Sequence, residues 1–353
     1  MHPSYLLPLL CTLCAAGFHV EVLSTVSFPL INRTHPGVTP NISGGFETGL
    51  VVKVDDGSYH MFSVGFPPGP DWGSDIILHW ASPDGVSDWQ PVDQLLHFHE
   101  SGGLWYDPVS PMPFFNEETN RWELFFMWQV QPRRTWTANG TAFRLLSETP
   151  GRAGIGGPWA QDPTPVLPHA SNQSWEMGMQ DSISFPYRVP DGRWVAFYGS
   201  GPRMCCADWL VGLAAAPSPS GPFTRLPVGN PVTLLPAPSG GANYTENPTV
   251  YALPNGQGFV AVFDALLKEV TTGKNQGIGF GFSLNGVDWL AEEGVAVSVA
   301  PGVAPGETFW AKVVRTPLGM VEEGDGSWSV FFTAEDGEGW AGLGLTRVRF
   351  DVT

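Results

Sequence analysis

The sequence carries little charge, and most of the charge it has is negative. Its 353 residues include 17 Lys and Arg against 34 Asp and Glu, for a net charge of −17, and charged residues make up only 14% of the chain. Nucleic-acid binding is disfavoured, because it needs a basic surface that displaces counterions from phosphates. A disordered chain is excluded, since 42% of the residues are hydrophobic and 15 are Trp.

Long hydrophobic runs are also missing. The apolar stretch from Tyr5 to Gly17 ends in small residues and is too short for a membrane span, which needs about 20 residues. It predicts a signal peptide over residues 1–17, cleaved near Ala16 or Gly17, and a secreted protein without a membrane anchor. The glycosylation sequons predict the same route; they begin at Asn32, Asn41, Asn139, Asn172 and Asn243.

Cysteine is scarce. Cys11 and Cys14 lie in the predicted signal peptide, so the mature chain keeps only the adjacent pair Cys205 and Cys206. This excludes a disulfide framework and leaves two interpretations, a vicinal disulfide or two small buried side chains. The sequence also has no zinc-type spacing of Cys and His, and no metal-ligating residues are predicted.

Glycine and proline are abundant, with 43 Gly and 34 Pro. So many turn-forming residues leave little room for long helices and favour short strands joined by turns. The composition therefore predicts an all-β protein with minimal helix.

A segment type recurs five times along the chain. Each copy has a short apolar strand, a turn rich in Gly, Asp or Asn, and a second strand that carries an aromatic residue. The leading positions are 60 to 74 residues apart and are Glu47, Asp107, Asp181, Glu246 and Trp310. Two hairpins per copy predict a five-bladed β-propeller of four-stranded antiparallel blades over residues 18–353. The blades are expected at about 44–90, 103–160, 178–225, 243–291 and 307–352.

The first strand of each blade lines the channel of a propeller, so four carboxylates are expected at one mouth. Carboxylates that share a partly dry site repel one another, and one of them then keeps its proton near neutral pH. Glycosidic cleavage needs such a split between an acid and a base. The alternative is that these residues accept backbone N–H bonds at the channel lip or bind an ion.

Two motifs resemble those of known enzymes. Glu246-Asn-Pro-Thr-Val-Tyr resembles the Glu-Gly-Pro motif that bears the general acid of family 43 glycoside hydrolases. Asp181-Ser-Ile-Ser-Phe, followed by Pro190-Asp-Gly-Arg-Trp, resembles the segment whose Asp tunes the pKa of that acid. The chain is thus similar to the five-bladed propeller glycoside hydrolases, which include the family 43 arabinofuranosidases and xylosidases and the related family 32.

The resemblance implies a role for each residue. Glu246 protonates the leaving group, Glu47 activates water, and Asp181 raises the pKa of the acid and orients the sugar. Glu47 stands where the family has an Asp in an Asp-Pro context. The substrate-binding residues are expected to be Asp107, Trp105, Tyr106, Trp310 and Lys312.

These observations predict a secreted glycosidase that cleaves furanosides or pentose-containing glycans, with inversion at the anomeric carbon. Its partner is an oligosaccharide or polysaccharide, and no cofactor is required, although a structural cation such as calcium could occupy the channel. The Asn-Asp-Pro-Asn-Gly motif of family 32 is absent, which disfavours fructan cleavage. The alternative is a non-catalytic carbohydrate-binding propeller, because Glu47 replaces the usual Asp.

Overall fold

A computed structural model describes residues 17–66, 75–132, 139–169, 175–176, 179–201, 209–227, 229–235, 245–265 and 277–353. The predicted signal peptide up to residue 16, the sequons at Asn172 and Asn243, and the pair Cys205 and Cys206 lie outside these residues. Asn32 and Asn41 are both exposed, so their side chains are accessible at the surface. Among the described residues, no helix is long and apolar enough to cross a bilayer.

The described residues form strands and short 3-10 helices, without an α-helix, as the composition predicted. The strands of the first half are β1 Phe18–Thr25, β2 Gly45–Lys53, β3 Tyr59–Phe66, β4 Ile76–Ser82, β5 Gln90–His97, β6 His99–Ser101, β7 Leu104–Asn116, β8 Arg121–Pro132, β9 Asn139–Ser147 and β10 Trp159–Leu167. Those of the second half are β11 Met179–Ile183, β12 Tyr187–Arg188, β13 Trp194–Gly201, β14 Leu210–Ala216, β15 Thr224–Arg225, β16 Thr245–Ala252, β17 Phe259–Ala265, β18 Gly277–Ser283, β19 Val295–Val297, β20 Val313–Glu322, β21 Trp328–Glu335 and β22 Ala341–Val352. The 3-10 helices are Pro40–Ile42, Arg152–Gly156, Pro254–Gly256, Ala291–Glu293 and Ala300–Gly302.

The strands pair in antiparallel groups that follow chain order. The groups are β2 to β5, β7 to β10, β11 with β13 to β15, β16 to β19, and β20 to β22. Single parallel bridges, Gly45 to Ala341 and Gln180 to Asn139, join neighbouring groups, so the described strands form three sheets. The four-stranded antiparallel architecture is that of a β-propeller, whereas the count of five blades stays a prediction.

The last group obtains its fourth strand from the other end of the chain. Strand β1 pairs antiparallel with β22, from Phe18 opposite Val352 to Thr25 opposite Thr346. The Thr25 and Thr346 hydroxyls also share a buried hydrogen bond of 2.8 Å. The sequence pattern did not reveal this strand, because its partner lies more than 300 residues away.

Apolar side chains from neighbouring groups, including the first and the last, pack against each other and form the core. Trp80 and Trp89 of the first group, for example, share a buried cluster with Phe331 of the last group. The first strands of the groups lie next to one another: β2 contacts both β7 and β20, β11 contacts β7, and β16 contacts β20. This arrangement brings residues at the beginning of these strands into one region of the molecule.

Candidate active site

Each of three first strands carries a β-bulge with a left-handed residue. The bulges follow Glu47, Val109 and Glu246, which pair with Val64, Met127 and Asp264 before the register shifts. The left-handed residues are Thr48 at φ 40°, Ser110 at φ 53° and Asn247 at φ 51°. Glu47 and Glu246 therefore occupy equivalent positions, each directly before its bulge. Bulges next to active sites re-aim side chains.

The bulge at Glu47 depends on its neighbours. Gly49 has φ 136°, and a Cβ at this position would lie 2.0 Å from the Phe62 carbonyl oxygen, so only glycine fits. The Ser63 hydroxyl lies 3.0 Å from both the Glu47 and Thr48 carbonyl oxygens and can donate to either. The sequence Glu-Thr-Gly thus fixes the backbone that presents the Glu47 carboxylate.

Arg315 lies among several acidic residues, which together form the acidic cluster: Glu47, Glu246, Asp264 and Glu335. Its guanidinium forms an ion pair with Glu47 and another with Glu335, the latter at 3.1 Å. The charge of Glu47 raises the pKa of Arg315 above its ordinary value, and the charges of Glu335, Glu246 and Asp264 add to this effect against the opposing effect of burial. Arg315 therefore brings the predicted residues Glu47 and Glu246 into one electrostatic cluster.

Two further acidic residues, Asp75 and Asp107, lie close to Glu47. Burial raises the pKa of Asp75 well above its ordinary value, and the charges of Asp107 and Glu47 raise it further. Burial also raises the pKa of Asp107 to about 6, although hydrogen bonds from Gln131 and the Asp75 backbone act in the opposite direction. The Gln131 amide donates to Asp107 Oδ2 at 3.2 Å. Asp107 thus lies near Glu47 but two residues before the position that is equivalent by register.

Asp264 is an acidic residue of the cluster that the sequence reading missed. It lies opposite Glu246 on β17 and is 1% exposed. Burial raises the pKa of Asp264 to about 7, with a further contribution from the charge of Glu47. A carboxylate inside the apolar run Phe259–Ala265 was the available signal, because unpaired acids are rarely buried.

The other predicted residues have different surroundings. Asp181 lies in β11, and its side chain is outside the described part of the structure. Trp105 is 5% exposed with its ring edge-on to Phe98, and Tyr106 stacks on His99 at 4.7 Å between ring centroids.

The fifth copy contributes two predicted residues. Trp310 is partly buried beside Phe309, and Lys312 is exposed. Its backbone N–H donates to the Glu335 carbonyl at 2.8 Å, which places Lys312 beside the strand that carries Glu335. Within the described ranges, no three His, Cys, Asp or Glu side chains are arranged to hold a metal ion, so no ligand set is assigned to the channel cation.

Replacing Thr48 by Gly is expected to stabilise the fold by about 1 kcal/mol, since a left-handed β-branched residue is strained and its buried hydroxyl has no hydrogen-bond partner. Urea denaturation measures the change. Thr48→Ala is the matched control, because it removes the hydroxyl but keeps the strained Cβ. A Thr48→Gly variant less stable than Thr48→Ala would contradict the strain argument.

Comparisons with known proteins agree on the fold. No family model matches the sequence, and no curated protein matches it either. A family 117 glycoside hydrolase of the marine bacterium Zobellia galactanivorans has 16% identity and a TM-score of 0.55, over 95% of this chain and 90% of that chain. An endo-arabinase from Bacteroides thetaiotaomicron has 16% identity and a TM-score of 0.54, over 87% of this chain and 95% of that chain.

A β-1,3-galactosidase of family 43 is also similar in structure. It has 12% identity and a TM-score of 0.54, and the alignment covers 93% of this chain and 62% of that chain. At such identities the likeness concerns the fold, and it confirms the predicted β-propeller architecture but not the number of blades. The chain therefore has the β-propeller fold of glycoside hydrolases such as those of families 43 and 117.

Proposed function

We propose that this protein is a secreted glycoside hydrolase that cleaves furanosides or pentose-containing glycans. The observation that carries the proposal is the cluster in which Glu47 and Glu246, at equivalent bulges of two first strands, both interact with Arg315. The fold supports the same reaction class, since the proteins similar to it in structure include an endo-arabinase and a β-1,3-galactosidase. The exposed Asn32 and Asn41 are consistent with glycosylation along a secretory route.

In the proposed mechanism Glu246 is the general acid and Glu47 the general base. Glu246 gives its proton to the glycosidic oxygen as the bond from that oxygen to the anomeric carbon breaks. Glu47 takes a proton from a water molecule, whose oxygen bonds to the opposite face of the anomeric carbon. The negative Glu47 carboxylate is held in place for this task by its ion pair with Arg315.

The substrate contacts are proposed from the same resemblance. Asp181 orients the sugar and raises the pKa of the acid. Asp107 is 1% exposed, as little as Asp264, so no bond to a sugar hydroxyl is assigned to it. The aromatic rings offer apolar surface to sugar faces, and Lys312 offers a donor. The rings proposed for this role are Tyr106 and Trp310, whereas Trp105 is 5% exposed and packs on Phe98.

The proposal is tested by hydrolysis with the purified mature protein. The panel comprises arabinofuranosides, xylosides, galactosides and plant or algal polysaccharides, and proton NMR follows the first anomer released. We expect turnover of at least one pentose-containing substrate with inversion. Retention would contradict the role of Glu47 as a base that activates water, because it indicates a covalent intermediate.

The second candidate is a carbohydrate-binding propeller without catalysis. It is favoured by one observation, namely that both the Glu47 and Glu335 carboxylates are occupied by Arg315. A carboxylate oxygen that accepts a charge-assisted hydrogen bond from an arginine is less free to accept one from a water molecule. Glycan binding by calorimetry without turnover on any member of the panel would support this candidate and contradict the hydrolase.

A further inference from the structure

Glu246 and Asp264 form a cross-strand pair. They are register partners on the antiparallel strands β16 and β17, at the last pair before the bulge. Residues directly opposite each other on antiparallel strands project to the same face, with Cβ atoms about 5 Å apart. The two carboxyl groups are therefore neighbours by backbone geometry alone.

The two oxygens of Asp264 have different surroundings. Oδ2 accepts hydrogen bonds from the Thr316 hydroxyl at 3.1 Å and the Asn247 amide at 3.4 Å. Oδ1 is buried and has no hydrogen-bond partner in the protein. A buried carboxylate oxygen without a donor is costly, whereas a protonated one becomes a donor itself. The geometry therefore favours a proton on Oδ1.

Charged groups face Asp264 from each strand packed around it. Glu47 on β2 opposes its ionisation, Arg315 on β20 favours it, and Glu246 shares its face on β16. Glu335 on β21 forms an ion pair with Arg315 and so partly offsets its positive charge. Burial, the largest effect, raises the pKa of Asp264 to about 7. Two neighbouring carboxyl groups of this kind titrate as a pair.

We propose that Asp264 and Glu246 share one proton, and that Asp264 is the positioning residue that keeps this proton available until Glu246 delivers it to the leaving oxygen. The proposal rests on the proposed function, and it deepens it. Asp264 itself stays out of contact with the substrate, since it is almost fully buried. When the glycosidic oxygen has taken the proton, the pair is left with two negative charges next to Arg315. The carboxyl pair then takes up a new proton from solvent.

Asp264→Asn tests the proposal through the pH dependence of kcat/KM. Asn keeps an oxygen that accepts from Thr316 and has nearly the same volume, but it cannot ionise. We expect kcat/KM near pH 7 to fall by several-fold and by no more than about tenfold, because the alkaline limb moves down by about one pH unit. Near pH 4.5 the variant should stay within a few-fold of the wild type. A uniform fall at every pH would indicate a structural role and overturn the proposal.

Asp191→Asn is the matched control. Asp191 lies in an exposed turn, where it pairs with Arg193, and the same substitution there should leave the pH profile unchanged. Asp264→Glu is a second variant, which restores an ionisable group and should restore part of the alkaline limb. Failure of Asp264→Glu to exceed Asp264→Asn near pH 7 would count against proton sharing.

A readout that needs no substrate separates this inference from the proposed function. Native Asp264 binds a proton between about pH 4 and pH 7, where an unfolded Asp does not, so its contribution makes the free energy of unfolding fall as pH rises through this window. Asp264→Asn should remove that part of the slope and leave the parts due to Asp75 and Asp107. An unchanged slope would overturn proton sharing even if the wild type were inactive on every glycan.

Discussion

Replacing Glu246 by Gln is expected to lower kcat/KM on natural glycans by about 10²- to 10⁴-fold, the range usual for loss of a general acid. Gln has the shape of Glu but holds no transferable proton. Because Glu246 is partly exposed in the cluster, the fold should be retained, which circular dichroism and thermal melting verify. Steady-state hydrolysis of the preferred substrate measures the effect.

The chemistry of the leaving group sharpens this test. An aryl glycoside with a strongly acidic phenol needs little protonation, so Glu246→Gln should lose far less activity on it than on a polysaccharide. Glu322→Gln is the matched control, since Glu322 is exposed at the end of the first strand of the last group. Equal losses on both kinds of substrate would argue against Glu246 as the acid.

Replacing Arg315 by Met is expected to destabilise the fold by about 3 kcal/mol at neutral pH. Arg315 is only a quarter exposed and offsets the charges of Glu47 and Glu335. Removing one partner of a largely buried ion pair leaves the other charges uncompensated. The loss should shrink as pH falls, because protonation neutralises the carboxylates. Chemical denaturation at about pH 7 and about pH 4 measures both parts of this prediction.

Two further variants isolate the cause. Adding Glu47→Gln to Arg315→Met should recover part of the lost stability, since it removes one of the repelling carboxylates. Arg193→Met is the surface control, because Arg193 forms an exposed ion pair with Asp191 and such pairs contribute little. A loss that is the same at both pH values would mean that packing of the Arg315 stem dominates.

The recurring strand-turn-strand pattern was enough to predict the fold and the position of Glu47 and Glu246. Both residues begin copies of the pattern, and both lie directly before a bulge of a first strand. The spacing of the copies did not reveal that Asp107 lies two residues before its bulge, which follows Val109. Register depends on backbone angles at Thr48, Ser110 and Asn247, and these angles leave no periodic signal in the sequence.

Asp264 and strand β1 were missed for different physical reasons. Asp264 is surrounded in sequence by apolar residues of a central strand, so its neighbours in space come from β16, β2 and β20 rather than from nearby positions. Strand β1 follows the predicted leader directly, and its register with β22 is a contact between chain ends. Such long-range pairs are set by the closed fold, and a local pattern cannot show them.

The pairing of β1 with β22 also bears on how the protein folds. Thr25 and Thr346 are 321 positions apart in the chain. The last group of strands, β20 to β22 with β1, therefore cannot be completed until nearly all of the polypeptide is available. Contacts of such high sequence separation slow folding, because the entropy of loop closure must be lost before they form. Until then β22 has a free edge able to pair with other chains. The period of greatest aggregation risk is therefore the interval between synthesis of β22 and docking of the first strand.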